Sequence, residues 1–194
     1  MLQRIRRGNR GFTLTELAIV LGVIGTILGA IWVAAGRVSA SNKAQKAAAQ
    51  VMQIAGNFRT LYAQHGVDVA NGTDVTCVGA NSNFFPTEMG GTSCVTGTTS
   101  TYPISPWGNG SYVQVTANQT NAGVVVAYFN LPQDGCNNLA NAVTTNADVI
   151  WEEINTTSQN LPPLANNTPY TPSSVNAFCV AGSGNSVQVM FKAR

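Results

Sequence analysis

The chain has 194 residues, 44% hydrophobic and only 9% charged, with room for one membrane helix and one globular domain. Ten basic residues face eight acidic ones, but Arg4, Arg6, Arg7 and Arg10 all lie in the first ten positions; without those four the balance is six against eight, a net −2. So mild an acidity beyond the N-terminus excludes a broad nucleic-acid-binding surface, which needs a basic face.

In chain order, the basic N-terminal stretch is followed by residues 11–36, which carry a single charge, Glu16, and no proline. About 20 apolar residues suffice to cross a bilayer as a helix, so residues 12–36 read as a membrane span. The arginines before it predict a cytoplasmic N-terminus. Gly22, Gly25, Gly29 and Gly36 offer places for close helix contact. A carboxylate at the centre of such a helix costs roughly 2.5–3.5 kcal/mol and less near its end, so Glu16 calls for a partner or a role. A secretory signal peptide is a poorer reading, because the apolar run is long and no A-x-A-like site follows a short core.

The stretch Gly11-Phe12-Thr13-Leu14-Thr15-Glu16-Leu17 resembles the prepilin signature of type IV pilins and the pseudopilins of type II secretion. In that family a dedicated peptidase cuts after the glycine on the cytoplasmic side, and the new N-terminal residue is methylated. The resemblance implies that Gly11 ends a leader, that Phe12 is the cleaved and N-methylated residue, and that Glu16 is the assembly carboxylate five positions into the mature chain. The freed amine of Phe12, with a pKa near 8, would be positive and could neutralise Glu16 of a neighbouring copy. An unpaired charge in an apolar fibre core is costly, so the pair would select one axial register. The implied partners are further copies in a helical homopolymer, the prepilin peptidase/methyltransferase, an inner-membrane assembly platform, and the membrane before assembly. The implied location is the bacterial inner membrane, then an extracellular fibre.

Beyond residue 36 the apolar positions Ala44, Ala47, Ala48, Val51, Ile54, Ala55, Phe58, Leu61 and Tyr62 recur at three- and four-residue steps. Lys43, Lys46, Gln50, Gln53, Asn57 and Arg59 fall largely on the other side. The spacing predicts an amphipathic continuation over 37–66 ending near Gly66. A helix over 12–65 would be about 80 Å long at 1.5 Å per residue, a length that a fibre core uses. Many type IVa pilins carry a proline near the position of Val33; this chain has none.

Residues 67–194 read as the globular head. Residues 67–110 show little periodicity and form a connecting loop region, closed by the rigid bend Tyr102-Pro103-Ile104-Ser105-Pro106-Trp107-Gly108. Strands are expected over 112–116 and 124–129, the second buried on both faces, with 117–123 as the hairpin link. Residues 136–147 place Leu139 and Val143 at helical spacing, and Trp151 and Ile154 extend that patch. A long loop over 155–174 precedes a last strand over 187–191. The order predicts an α+β fold: a long N-terminal helix packed on a small antiparallel sheet, the ladle-shaped pilin fold. Residues 67–110 and 155–185 are the expected exposed contact surfaces.

Cys77, Cys94, Cys136 and Cys179 all follow the apolar segment, and an even count in an exported domain reads as two disulfides with three possible connectivities. Sequential pairing is the expectation, since a Cys136–Cys179 bridge resembles the C-terminal disulfide loop of type IV pilins. Cys136-Asn137-Asn138-Leu139 and Phe178-Cys179 resemble the type IVb branch, whereas the 11-residue leader and Phe12 resemble type IVa.

No cofactor or metal site is expected, and no enzyme: there is no CxxC, phosphate loop or Ser–His–Asp set. His65, the single histidine, reads as a cation at a helix C-terminus, and Glu152 and Glu153 as a solvated pair. The Asn-x-Ser/Thr triplets at Asn71 and Asn155 are expected by chance in so polar a domain. The resemblance therefore implies a structural pilus subunit serving adhesion, aggregation, conjugation or motility, with a minor pilin or secretion pseudopilin as the alternative.

Overall fold

The computed structural model describes residues 13–65, 68–90, 93–108, 110–118, 123–144, 149–155 and 172–192. The chain divides into two compact units, Met1–Ser39 and Ala40–Arg194. One helix, α1 (Leu14–His65), runs through both. In the first unit its side chains are exposed along their whole length.

In the second unit α1 supplies one wall of the core. Ala44, Ala47, Val51, Ile54, Ala55, Phe58 and Tyr62 are buried, the stripe that the three- and four-residue steps describe. Full burial of each Val, Ile or Phe contributes about 1.5–3 kcal/mol. Against this stripe stands a four-stranded antiparallel sheet of order β1-β2-β4-β3: β1 (Tyr112–Asn118), β2 (Gly123–Pro132), β3 (Val149–Ile154) and β4 (Ser183–Lys192). On β1 burial alternates, with Val113, Val115 and Ala117 inward. Central β2 is buried on both faces from Gly123 to Tyr128. Tyr128 is completely enclosed, and its hydroxyl donates to the Ala47 carbonyl of α1 at 3.3 Å. Helix α3 (Gln133–Thr144) buries Cys136, Leu139, Ala140 and Val143, and these join the same core.

The outer edge of β1 is closed by the chain's own loops. Gly72 N–H donates to Ala117 O and Val75 N–H to Val115 O, both at 2.9 Å; Val113 N–H donates to Pro103 O at 2.8 Å and Ala117 N–H to Thr73 O at 2.9 Å. An open row of such groups would recruit foreign strands.

The structure corrects several expectations. Residues 67–110 are no plain surface loop. They contain α2 (Thr76–Asn81) and two single-turn helices, and they bury Val75, Phe85, Met89 and Tyr102 in the head. Residues 149–154, to which the sequence assigns no element of their own, form the edge strand β3, pairing with β4 from Val149↔Phe191 to Ile154↔Val187; Ile154 joins Leu139 and Val143 in the core as expected. Within the expected exposed loop 155–185, α4 (Pro172–Phe178) forms, and Asn155, Val175 and Cys179 are buried. Gln50 leaves the polar side it was assigned: it is only 4% exposed, and its amide donates to Glu88 at 3.3 Å. Glu153 lies half-buried in β3, and burial raises its carboxyl above the ordinary range. The side chains of His65, Trp151 and Glu152, and residue Gly66, lie outside the described residues.

Candidate functional site

Helix α1 begins with a reciprocal cap. Thr13 Oγ1 accepts from Glu16 N–H at 3.3 Å, while Glu16 Oε2 accepts from both Thr13 N–H and Thr13 Oγ1 at 2.9 Å. This Thr-x-x-Glu arrangement satisfies two of the donors that a helix start leaves open. It also puts the carboxylate at the positive end of the helix dipole. Sequence reading assigned Glu16 to assembly and missed Thr13, although the four-residue capping signal was there. Gly11 and Phe12 lie outside the described residues.

Over residues 17–36 the first unit presents an apolar surface interrupted only by Thr26. Leu14 is 88% exposed and Trp32 77%, and the isoleucines, leucines and valines between them are all exposed. The helix is long and apolar enough to cross a membrane, with a peak mean hydropathy of 2.5 and none of that window buried. Gly22, Gly25, Gly29 and Gly36 have no atom within 4 Å of where a Cβ would stand, so none serves a close contact within this chain.

The head is held by two disulfides and two polar clusters. Cys77 joins Cys94, and Cys136 joins Cys179, closing separations of 17 and 43 residues. The first cluster centres on Asp74. Its carboxylate accepts from Thr76 N–H at 2.9 Å, Thr76 Oγ1 at 2.5 Å, Gln114 Nε2 at 3.1 Å and the Tyr102 hydroxyl. Burial pushes its carboxyl upward, but the hydrogen bonds from Thr76, Tyr102 and Gln114 together outweigh it and hold the group below the ordinary value of 3.8.

The second cluster is the pair Asn155 and Asn185, where β2, β3, β4 and the Cys179 segment meet. Asn185 Oδ1 accepts from Asn155 Nδ2 and Val180 N–H, both at 2.8 Å; Asn185 Nδ2 donates to Leu131 O at 3.1 Å and Val180 O at 3.0 Å. Asn155 accepts from Ser186 N–H at 2.7 Å and donates to Phe178 O at 2.7 Å. These contacts are structural, and none leaves a nucleophile beside a base. Among the described residues no three His, Cys, Asp or Glu side chains converge on a metal position.

Residues 6–32 match the family model described as the prokaryotic N-terminal methylation motif. The fold matches the crystal structure of a type IVb pilin from Salmonella typhi, with a TM-score of 0.51 and 17% identity over 74% of this chain and 98% of that one. The fold is type IV pilin-like. No curated protein matches it in sequence. The methylation motif covers the Thr13–Glu16 cap and the exposed apolar stretch from Leu14 to Trp32. The apolar N-terminal helix is long enough to anchor the chain in a membrane.

Proposed function

We propose that the chain is a major structural subunit of a type IV pilus, cut after Gly11, methylated at Phe12 and polymerised through α1 into a surface fibre. In this reading residues 1–11 are the leader, 12–36 the membrane and assembly segment, 37–66 the helix continuation and 67–194 the displayed head. The observation that carries it is the wholly exposed apolar length of α1 under a methylation motif. Such a surface needs lipid before assembly and other copies afterwards, since water against so many Leu, Ile and Val side chains is unfavourable at about 25 cal/mol per Å². The Glu16 carboxylate, at the helix start, is the natural partner for the Phe12 amine of a neighbour. The fibre would serve adhesion, aggregation, conjugation or motility.

Intact-mass and N-terminal analysis of material sheared from cells tests this. The expected product is a methylated chain beginning at Phe12 and four hydrogens lighter than its reduced form, two for each bridge. A chain cut at Gly11 that stays in the membrane points instead to a minor pilin or pseudopilin. Retention of residues 1–11 in cells with an active prepilin peptidase refutes the proposal. Glu16→Ala should leave the subunit inserted and stable but abolish or disorder fibres; normal fibres from that variant would refute the register role of Glu16.

A further inference from the structure

A cavity of about 500 Å³ opens on the head beside the start of β1, lined by Tyr102, Ile104, Tyr112, Thr99, Ser100 and Asn130, among others. From its lining we infer that this cavity is a binding site for a neutral saccharide. The volume falls in the range of small-molecule sites. The cavity is formed by residues of the head alone, so its chemistry is independent of processing or polymerisation.

The wall is built rather than incidental. Tyr112 opens β1 and stacks on Phe129 of β2 at 5.1 Å between ring centroids, while Tyr102 meets Tyr112 edge to face at 5.9 Å. Tyr102 is fixed from behind, its hydroxyl donating to Asp74 and accepting from Gly97 N–H at 2.9 Å. The floor is equally tied down. Ser111 donates to Phe129 O at 2.9 Å, and Asn130, in the left-handed region at φ +57°, donates to Gly110 O at 2.6 Å. Ile104 is nonetheless 52% exposed at the rim, anchored by its backbone bridge to Tyr112.

The lining chemistry selects the ligand class. Among the described residues the cavity wall carries no charged side chain. An anion would find no Lys or Arg and would sit one tyrosine away from the Asp74 carboxylate; a cation would find no counter-charge in direct contact. The hydroxyls of Thr99, Ser100 and Tyr112 make no side-chain hydrogen bond to a described residue, and burial raises the Tyr112 phenol so that it keeps its proton. A purely apolar ligand would strand those hydroxyls without partners. A pyranose satisfies both demands, with apolar C–H faces for Tyr112 and Ile104 and a rim of hydroxyls for Thr99, Ser100 and Tyr112.

The test uses the full chain in detergent and a panel of neutral oligosaccharides, with lactose, maltose and N-acetyllactosamine as the first probes, read by saturation-transfer NMR and calorimetry. At least one should bind saturably with Kd in the millimolar range or tighter. Ser100→Trp, at an exposed position, should fill the cavity and abolish binding without changing the melting temperature. Tyr112→Phe should weaken binding about tenfold by removing one hydrogen-bonding group. Failure of every probe to saturate up to about 10 mM overturns the inference. So does binding that survives Ser100→Trp, or a sialylated probe or a short peptide binding better than every neutral sugar.

Discussion

Replacing Asn185 by alanine removes four hydrogen bonds from the place where three strands and the Cys179 segment converge. Two of them, to Leu131 O and from Asn155 Nδ2, are fully buried, and each stranded group costs about 1.5 kcal/mol, inside the usual 1–3 kcal/mol. The two to Val180 are part-buried and open to replacement by water, so about 0.5 kcal/mol each is appropriate. The sum, about 4 kcal/mol, is a large share of the ~5–15 kcal/mol that holds a domain together. At about 2–4 °C per kcal/mol for a chain of this size, melting should fall by roughly 8–16 °C. Thermal and urea unfolding of the full chain in detergent, with disulfides intact, measure it. Asn185→Asp adds a sign test: at neutral pH it places a carboxylate against the Leu131 and Val180 carbonyls and should be no better than alanine. In acid its protonated form donates once and should recover part of the loss. A cost for Asn185→Ala below about 1.5 kcal/mol would mean that water takes over the buried bonds, and the account of the clasp would fail.

Three further outcomes are expected. Loss of the Cys136–Cys179 bridge, which closes the longer loop, should cost about 4 kcal/mol and loss of Cys77–Cys94 about 3 kcal/mol on the chain-entropy account; paired Cys→Ser variants in urea give the order. Asp74 has a carboxyl held below 3.8, so its contribution is fully present above that value and is lost as pH falls through the lower folded value. Asp74→Asn should therefore flatten the acid limb of urea-midpoint against pH, and an unchanged acid limb would refute the role. Gly135 lets the Trp107 indole lie against α3, where an added Cβ would stand 2.7 Å from Nε1 and 2.8 Å from Cε2; Gly135→Ala should cost about 1–3 kcal/mol and change the near-ultraviolet tryptophan signal.

How much could be read from the sequence depended on the range of the interactions that decide each segment. The stripe from Ala44 to Tyr62 is local and periodic, so both the helix and its buried face were legible. Gln50 departs from its expected face because its partner, Glu88, lies 38 residues away in the chain. Val149–Ile154 is a short run with helical and strand readings both open, and only pairing with β4 decides between them. The six residues of α2 are too few to show a period. At the N-terminus the long apolar run was plain, and it drew the eye from the Thr13–Glu16 cap beneath it. Asn155 and Asn185 resemble ordinary loop residues in sequence; their role exists only once strands distant in the chain are brought together.

The closed outer edge of β1 has a bearing on the conditions under which the protein can be made. Its cover, residues 72–75, runs directly into α2, and Cys77 in that helix is tethered to Cys94. The Cys77–Cys94 bond, lost under reduction, is thus beside the segment that keeps a sheet from recruiting a stranger. A reducing compartment would yield a head whose strand edge is intermittently bare, and crowded copies would find one another through it. Oxidation does more than fasten the fold: it keeps each head to itself while its helix is free to seek company.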